Sequence, residues 1–310
     1  MPETVHGGSA AAVANELPLR ATLDPLGEAL MEAAGEAKAA LALADPVTAV
    51  HELRKAFKRL RALLRLVRRE TCGREDALTA RALRRQLGEG ARRLSGARDI
   101  AARREAMDDL VAKGLLTPAL RRTAGRALLG KGQEAGDAGL ATHREELAAL
   151  IAASEDAASR LNGSNTIPRL LRVMAEEYTL ARKLGRKAHP DEPESLHDLR
   201  KAVVAHRYQM ALVTTAWPAV GRVWEVELQR LREKLGKFQD LAVLLEPVAQ
   251  EVPEGHAAPG WSAPLAEAAR ARQLKLVASA LRLHARLFAE KPGAFRRRLA
   301  AYFDPVSVRE

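Results

Sequence analysis

Two seven-residue segments of this chain recur in similar form. Val50-His51-Glu52-Leu53-Arg54-Lys55-Ala56 returns as Leu196-His197-Asp198-Leu199-Arg200-Lys201-Ala202, and Leu94-Ser95-Gly96-Ala97-Arg98-Asp99-Ile100 returns as Leu235-Gly236-Lys237-Phe238-Gln239-Asp240-Leu241. The offsets, 146 and 141 residues, nearly agree, so an internal duplication is more economical than coincidence. Whatever one copy folds into, the other should fold into as well, within 310 residues that suffice for one large domain or two of ordinary size.

Both copies lie on helical patterns. At about 100° per residue, Leu53, Phe57, Leu60, Leu64 and Val67 fall on one side of a helix running from Val50 to Glu70, and His51, Arg54, Lys58, Arg65 and Arg69 on the other. The apolar residues of the chain are mostly Ala and Leu, strong helix formers as Arg and Glu are, so the whole chain reads as all-α. Helices are expected over 24–44, from about 50 to Gly73, over 75–94, 98–113, from Thr117-Pro118 with a glycine-crowded break at 130–139 before resuming to 161, over 168–187, 194–216, 220–245, 265–290 and 294–302. Asp45-Pro46 should cap and open the second of these. Residues 1–22 read as a loose leader, and Asn162-Gly163-Ser164-Asn165 as the boundary between a first half, 23–162, and a second, 163–310. Each half then holds about four main helices, enough for a bundle core.

Charge is the second constraint. The net charge is +11, and the stretch from His51 to Arg104 carries 17 Lys/Arg against 6 Asp/Glu, a surplus equal to that of the whole chain. Between Val50 and Glu70 eight cations meet only Glu52 and Glu70, too few acids for i,i+4 pairing. A polyanion is the expected partner. Cys72 stands alone, so neither a disulfide within the chain nor a cysteine metal site is expected. No signal-like leader or eighteen-residue uncharged apolar run occurs, and the expectation is a cytoplasmic protein that does not insert into a membrane.

Apparent catalytic and metal motifs fail on inspection. Gly125 to Lys131 matches part of a phosphate loop, but Gly132 replaces the required Ser/Thr and no strand precedes it. No His pair stands at the four-residue helical spacing of a metal site, and no activated nucleophile or isolated carboxylate pair is present. No metal, cofactor or catalytic residue is expected, and Asp99 and Asp240 read as groups that cap or orient arginines. Phe57, Trp217 and Trp224 read as core.

At the two His-x-x-Arg segments the chain resembles the CHAD family of histidine-containing α-helical domains. The shared form is apolar-His-x-x-Arg-(Lys or other)-x-x-basic-x-apolar-Arg, supported by His206-Arg207-Tyr208 and by the Leu-Gly-x-x-Gln-Asp-Leu turn at Leu235. The match runs from about Leu26 to Tyr302. The resemblance implies two four-helix bundles related by a pseudo-twofold, a basic groove or pore between them, and a non-enzymatic binder of inorganic polyphosphate associated with polyphosphate granules. Physics points the same way, since guanidinium forks and mobile ammonium groups suit a chain of phosphates. The candidate contacts are His51, Arg54, Lys55, Lys58, Arg61, Arg65, Arg85, Arg92 and Arg98 in the first half, and Arg182, His197, Arg200, Lys201 and Arg207 in the second. For His51 and His197 a bracing role between helices is equally open. Val204, Ala205 and Ala211 replace Lys58, Arg59 and Arg65 in the second copy, so the expected site is lopsided, and Arg182, Lys183, Arg186 and Lys187 are candidates to compensate. His206 falls on the apolar side and reads as a hydrogen-bonded core or interface residue. Two alternatives remain: a nucleic-acid-binding protein, with weak nonspecific binding expected of any polycation, and a polyphosphate or triphosphate hydrolase. Few aromatics, 4%, count against the first, and scattered acids against the second.

Overall fold

A computed structural model describes residues 24–94, 98–129, 138–161, 166–250 and 259–303, with helical backbone alone at 98, 99, 138, 139, 249 and 250. The leader, the midpoint boundary and most of the glycine-rich break lie outside the described residues. The described chain is helical, in the order α1 (Pro25–Leu41), α2 (Pro46–Leu63), α3 (Arg69–Cys72), α4 (Arg74–Arg93), α5 (Arg98–Ala112), α6 (Pro118–Leu128), α7 (Ala138–Leu161), α8 (Ile167–Lys187), α9 (Pro193–Thr214), α10 (Pro218–Gln250), α11 (Ser262–Leu287) and α12 (Pro292–Phe303). No described helix is long and apolar enough to cross a membrane.

Local chemistry starts several of these helices where expected. Asp24, Asp45 and Thr117 accept from the backbone N–H three residues on, and a proline follows each in the first helical turn. Two endings depart from the sequence pattern. The second helix stops at Leu63 instead of running to Gly73. Continued, it would carry Leu66 about 120° away from Leu60; the break buries Leu66 completely beside Leu64 and Val67. Thr71 Oγ1 then donates to the Leu66 carbonyl at 3.0 Å, and the Arg68 N–H donates to Thr71 Oγ1 at 2.7 Å. At the other departure α10 passes straight through Pro247, where a loop was expected. Proline withholds the N–H that Val243 O would accept, and Arg103 of α5 turns its Nε to that carbonyl at 3.5 Å.

The larger core joins α1, α2, α4, α7, α8, α9, α10, α11 and α12 around Leu53, Phe57, Leu60, Leu87, Tyr178, Leu199, Leu231 and Phe295. A smaller one sets Met107 and Leu110 of α5 and Leu128 of α6 against Leu241 and Leu244 of α10 and Leu265 of α11. Both cores draw on helices from each side of residue 162. At the second, burial raises the Asp109 carboxyl, but hydrogen bonds from Arg272 Nε and Lys237 Nζ, each 2.7 Å, outweigh it and hold the group below 3.8.

Trp217 is an exception to the core expectation. It is 47% exposed, and its ring meets Tyr302 edge-on at 4.9 Å. Phe57 is fully buried, and Trp224 packs partly buried against the larger core. His206 is 1% exposed, yet neither ring nitrogen has a hydrogen-bond partner. It lies among the rings of Tyr178, Phe288 and Phe295, at 5.3–5.8 Å between centroids. It is core, as read, but the expected hydrogen bond is replaced by ring packing.

Burial without a partner pushes His206 down to about 3. The folded chain keeps this ring neutral while the unfolded chain protonates it from about pH 6.5 downward. Its contribution is therefore intact above that value and drains away as pH falls toward 3, at up to about 1.4 kcal/mol per pH unit. Denaturant titrations at pH 7 and pH 5 should show His206→Leu losing about 2 kcal/mol less than the parent between the two; equal losses would place the acid sensitivity elsewhere.

Candidate anion-binding site

The cationic faces of α2 and α9 meet the neighbouring α4 and α10 around a cavity of about 510 Å³. Six of its cations come from the first copy's side: Lys58, Arg61 and Arg65 on or just past α2, and Arg81, Arg84 and Arg85 on α4. Three come from the other: Arg200 and Lys201 on α9 and Arg232 on α10. His197, Ala62, Val204, Ala205 and Tyr208 complete the lining, and none of the lining residues is acidic. Helical spacing explains the set. Lys58 and Arg61 stand three apart on α2 and Arg65 follows just past its end, Arg84 and Arg85 stand three and four residues after Arg81 on α4, and α2 packs directly on α9 and on α4.

Two guanidiniums pack over glycines of the neighbouring helix. Arg61 covers Gly88 of α4, where an added Cβ would stand 3.4 Å from its Cζ, and Arg200 covers Gly236 of α10, 3.5 Å from Nη2. Both are ordinary contact distances, so an alanine would be accommodated at either position.

Like charge is concentrated here against its own repulsion. Partial desolvation, then Arg92 and Arg65, push the Arg61 guanidinium below its ordinary value. Desolvation and then Arg65 do the same to Arg84, with Arg61 and Arg68 adding to it and Glu177 opposing. Both remain cations, since arginine is not deprotonated in proteins, so the shifts register an electrostatic strain that an entering anion would relieve. Glu177 of α8 stands behind this wall. It is 5% exposed, accepts from Arg65 Nε at 2.5 Å and is bound on its other oxygen by Arg68.

The candidates chosen from sequence divide into distinct groups. Lys58, Arg61, Arg65, Arg85, His197, Arg200 and Lys201 share the cavity. Arg54 instead donates through Nη1 to Ala91 O and Leu94 O, at 3.0 and 2.8 Å, and so closes the carbonyl end of α4. Arg182 caps α11 in the same manner, with Nε 2.9 Å from Phe288 O. Neither it nor its α8 neighbours line the cavity. His51 is exposed on α2 with Glu52 4.0 Å away, Lys55 is paired with Glu52 at 3.0 Å, and Arg92 stands exposed 4.0 Å from Glu89. Arg207 lies outside the lining, its guanidinium 4.6 Å from the Tyr208 ring centre. The side chains of Arg98 and Asp99 are outside the described residues. His197 takes the bracing role: Gln239 Oε1 lies 2.8 Å from its Nδ1 and 3.4 Å from Arg200 Nη1, so the imidazole donates from Nδ1.

Acids that the local sequence lacked arrive from distant helices. Glu32 and Glu36 of α1 bind Arg59, Glu146 of α7 binds Arg93, and Glu176 and Glu177 of α8 bind Arg68. Much of the cationic surplus around α2 is thus neutralised by the fold, and the part that faces the cavity is narrower than the sequence suggested. Arg81, Arg84, Arg232 and Tyr208 were not among the candidates. Arg81 and Arg84 share a face with Arg85, and Arg232 shares one with Gly236 and Gln239, the signals that could have selected them.

A family model described as CHAD domain matches residues 25–249. Among solved structures, PptA from Streptomyces chartreusis superimposes with a TM-score of 0.60 at 21% identity, over 86% of this chain and 99% of its own. The CHAD domain from the plant Ricinus communis covers 89% of each chain at 22% identity with a TM-score of 0.43. No curated protein matches the chain.

Replacing Glu177 with Gln would remove the buried counter-charge from Arg65 and Arg68. Breaking such a pair costs about 3–5 kcal/mol when both partners are buried, and less here because both arginines are partly solvated. The expected result is a lowered melting temperature in chloride, partly restored by millimolar sulfate. A variant as stable as the parent would show that Glu177 does not offset the cavity's charge.

Proposed function

The chain belongs to the CHAD family, and from that premise we propose that it binds inorganic polyphosphate in the cavity between α2, α4, α9 and α10 without turning it over. The observation that carries this reading is the lining itself: nine lysines and arginines and no carboxylate. A phosphate chain repeats negative charge at short intervals. It gains from many modest charge-assisted contacts and from release of its condensed counterions, and it offsets the desolvation and the like-charge repulsion that weigh on Arg61 and Arg84.

Hydrolysis would ask for different residues. Metal-assisted attack on phosphorus uses carboxylates to hold divalent ions or to orient water, and the cavity wall offers guanidinium, ammonium, imidazole, phenol and aliphatic groups. The nucleic-acid reading has less support, because sequence-tolerant strand binding uses a row of stacked rings and Tyr208 is the one Phe, Tyr or Trp in the lining. Within this proposal the protein works in the cytoplasm beside polyphosphate granules.

The test separates cavity cations from equally charged ones elsewhere. Changing Arg61, Arg84 and Arg85 together to Ala should weaken polyphosphate binding roughly a hundredfold, taking a charge-assisted contact at a kcal/mol or more each. It should also reduce the slope of log affinity against log salt by about 2. Changing Lys55, Arg69 and Arg74, which lie outside the lining, should do neither, and equal losses in the two triples would dismiss the cavity as the site. Phosphate released over many turnovers from polyphosphate with magnesium would replace binding by hydrolysis. Displacement of bound polyphosphate by RNA, but not of RNA by polyphosphate, would favour nucleic acid.

A further inference from the structure

A homopolymer of phosphate has nothing to bury, yet not all of this lining is cationic. Ala62, Val204, Ala205 and Tyr208 belong to the same lining as the α4 arginines. Val204 and Ala205 occupy the positions at which the first copy of the repeat has Lys58 and Arg59, 146 residues earlier. The second copy thus lacks cations at these two places in the wall, and α9 presents aliphatic and phenolic groups there beside Arg200 and Lys201.

Tyr208 adds a planar group to these apolar residues. Its ring is partly buried and held by the Arg207 guanidinium, 4.6 Å from its centre, a placement in which the cation and the ring attract each other. The space, about 510 Å³, is of the size that encloses one compact organic ligand. One ring serves one base, whereas a strand of nucleic acid would ask for a succession of them.

We propose that this cavity takes nucleoside polyphosphates, with the phosphate chain on Arg61, Arg84 and Arg85 and the base against Tyr208, Val204 and Ala205. The assignment rests on the reading of the cavity as a phosphate site and adds a second class of ligand to it. Arginine forks hold the phosphates, and the base replaces water at Tyr208 and its apolar neighbours. Stacking of a single base on an aromatic ring is worth roughly a tenfold or greater gain in affinity.

Calorimetric titration of the full chain with ATP, GTP and inorganic tripolyphosphate, all without magnesium, tests the proposal at equal phosphate number. The nucleoside triphosphates should bind at least about tenfold more tightly than tripolyphosphate. Tyr208→Ala should erase that excess, bringing the nucleotides to the affinity of tripolyphosphate, while Tyr208→Phe retains it. Val204→Lys, which restores the residue of the first copy, should shift the preference toward tripolyphosphate independently of the tyrosine variants. Tripolyphosphate binding as tightly as the nucleotides in the parent protein overturns the nucleotide inference alone. Failure of all three ligands to bind overturns the phosphate reading beneath it.

Discussion

Nine cations facing one cavity repel one another, and the helices that carry them must be held together by other forces. The larger core supplies the main one, with Leu53, Phe57 and Leu60 buried on the underside of the same helix that presents Lys58, Arg61 and Arg65. Burial of side chains of this kind stabilises by about 1.5–3 kcal/mol each, more than an exposed pair of like charges costs. Glu177 supplies the second, a buried carboxylate between Arg65 and Arg68 that offsets part of the repulsion without entering the cavity. Arg93 and Arg59 are drawn off by acids of other helices, so the charge that remains is concentrated rather than spread.

Guanidinium groups do three separate jobs here, and sequence alone distinguishes them poorly. Arg54, Arg144 and Arg182 donate to the final carbonyls of α4, α1 and α11, where they complete the hydrogen bonding and face the negative end of the helix dipole. Arg65 and Arg68 pair with buried or half-buried acids. Arg61, Arg84 and Arg232 face the cavity. Arg54 and Lys58 sit one turn apart on the same cationic stripe, and periodicity assigns them the same role. The distinction lies in which of them reaches the end of α4, a fact about a partner helix nearly forty residues away.

The same division between local and tertiary causes governs the fold. Asp45-Pro46 and Thr117-Pro118 announce helices because the cap and the proline act within four residues. The break after Leu63 carries no glycine or proline; it exists because the core has room for Leu66, which a continued helix would have carried away. Pro247 announces an ending that does not occur, because Arg103 of another helix approaches the carbonyl it leaves without an amide partner. Charge surplus and helical class were legible, since both are sums over many residues. The membership of the cavity was legible only in part: Lys58, Arg61, Arg65, Arg85, His197, Arg200 and Lys201 could be chosen from the repeat and the basic stretch, whereas Arg232 and Tyr208 join them only through packing.

The repeat helps explain where the cavity lies. Its two copies form α2 and α9, which pack directly on each other, and Gln209 of α9 donates to the Ala62 carbonyl of α2 at 3.1 Å across the seam. Ala62 and Ala205 are small and line the cavity, so the helices approach closely without filling the space between their charged residues. Each cationic stripe alone on a surface would be a solvated face of little consequence. Set against each other across a seam, the stripes are screened less by water, and an anion between them interacts with both at once. Occupancy and stability are then linked: a ligand that binds the folded chain and not the unfolded one adds RT ln(1 + [L]/Kd) to the stability of the fold. Were the proposed anion bound, the cationic faces of α2 and α9 and the cores beneath them would cease to oppose each other.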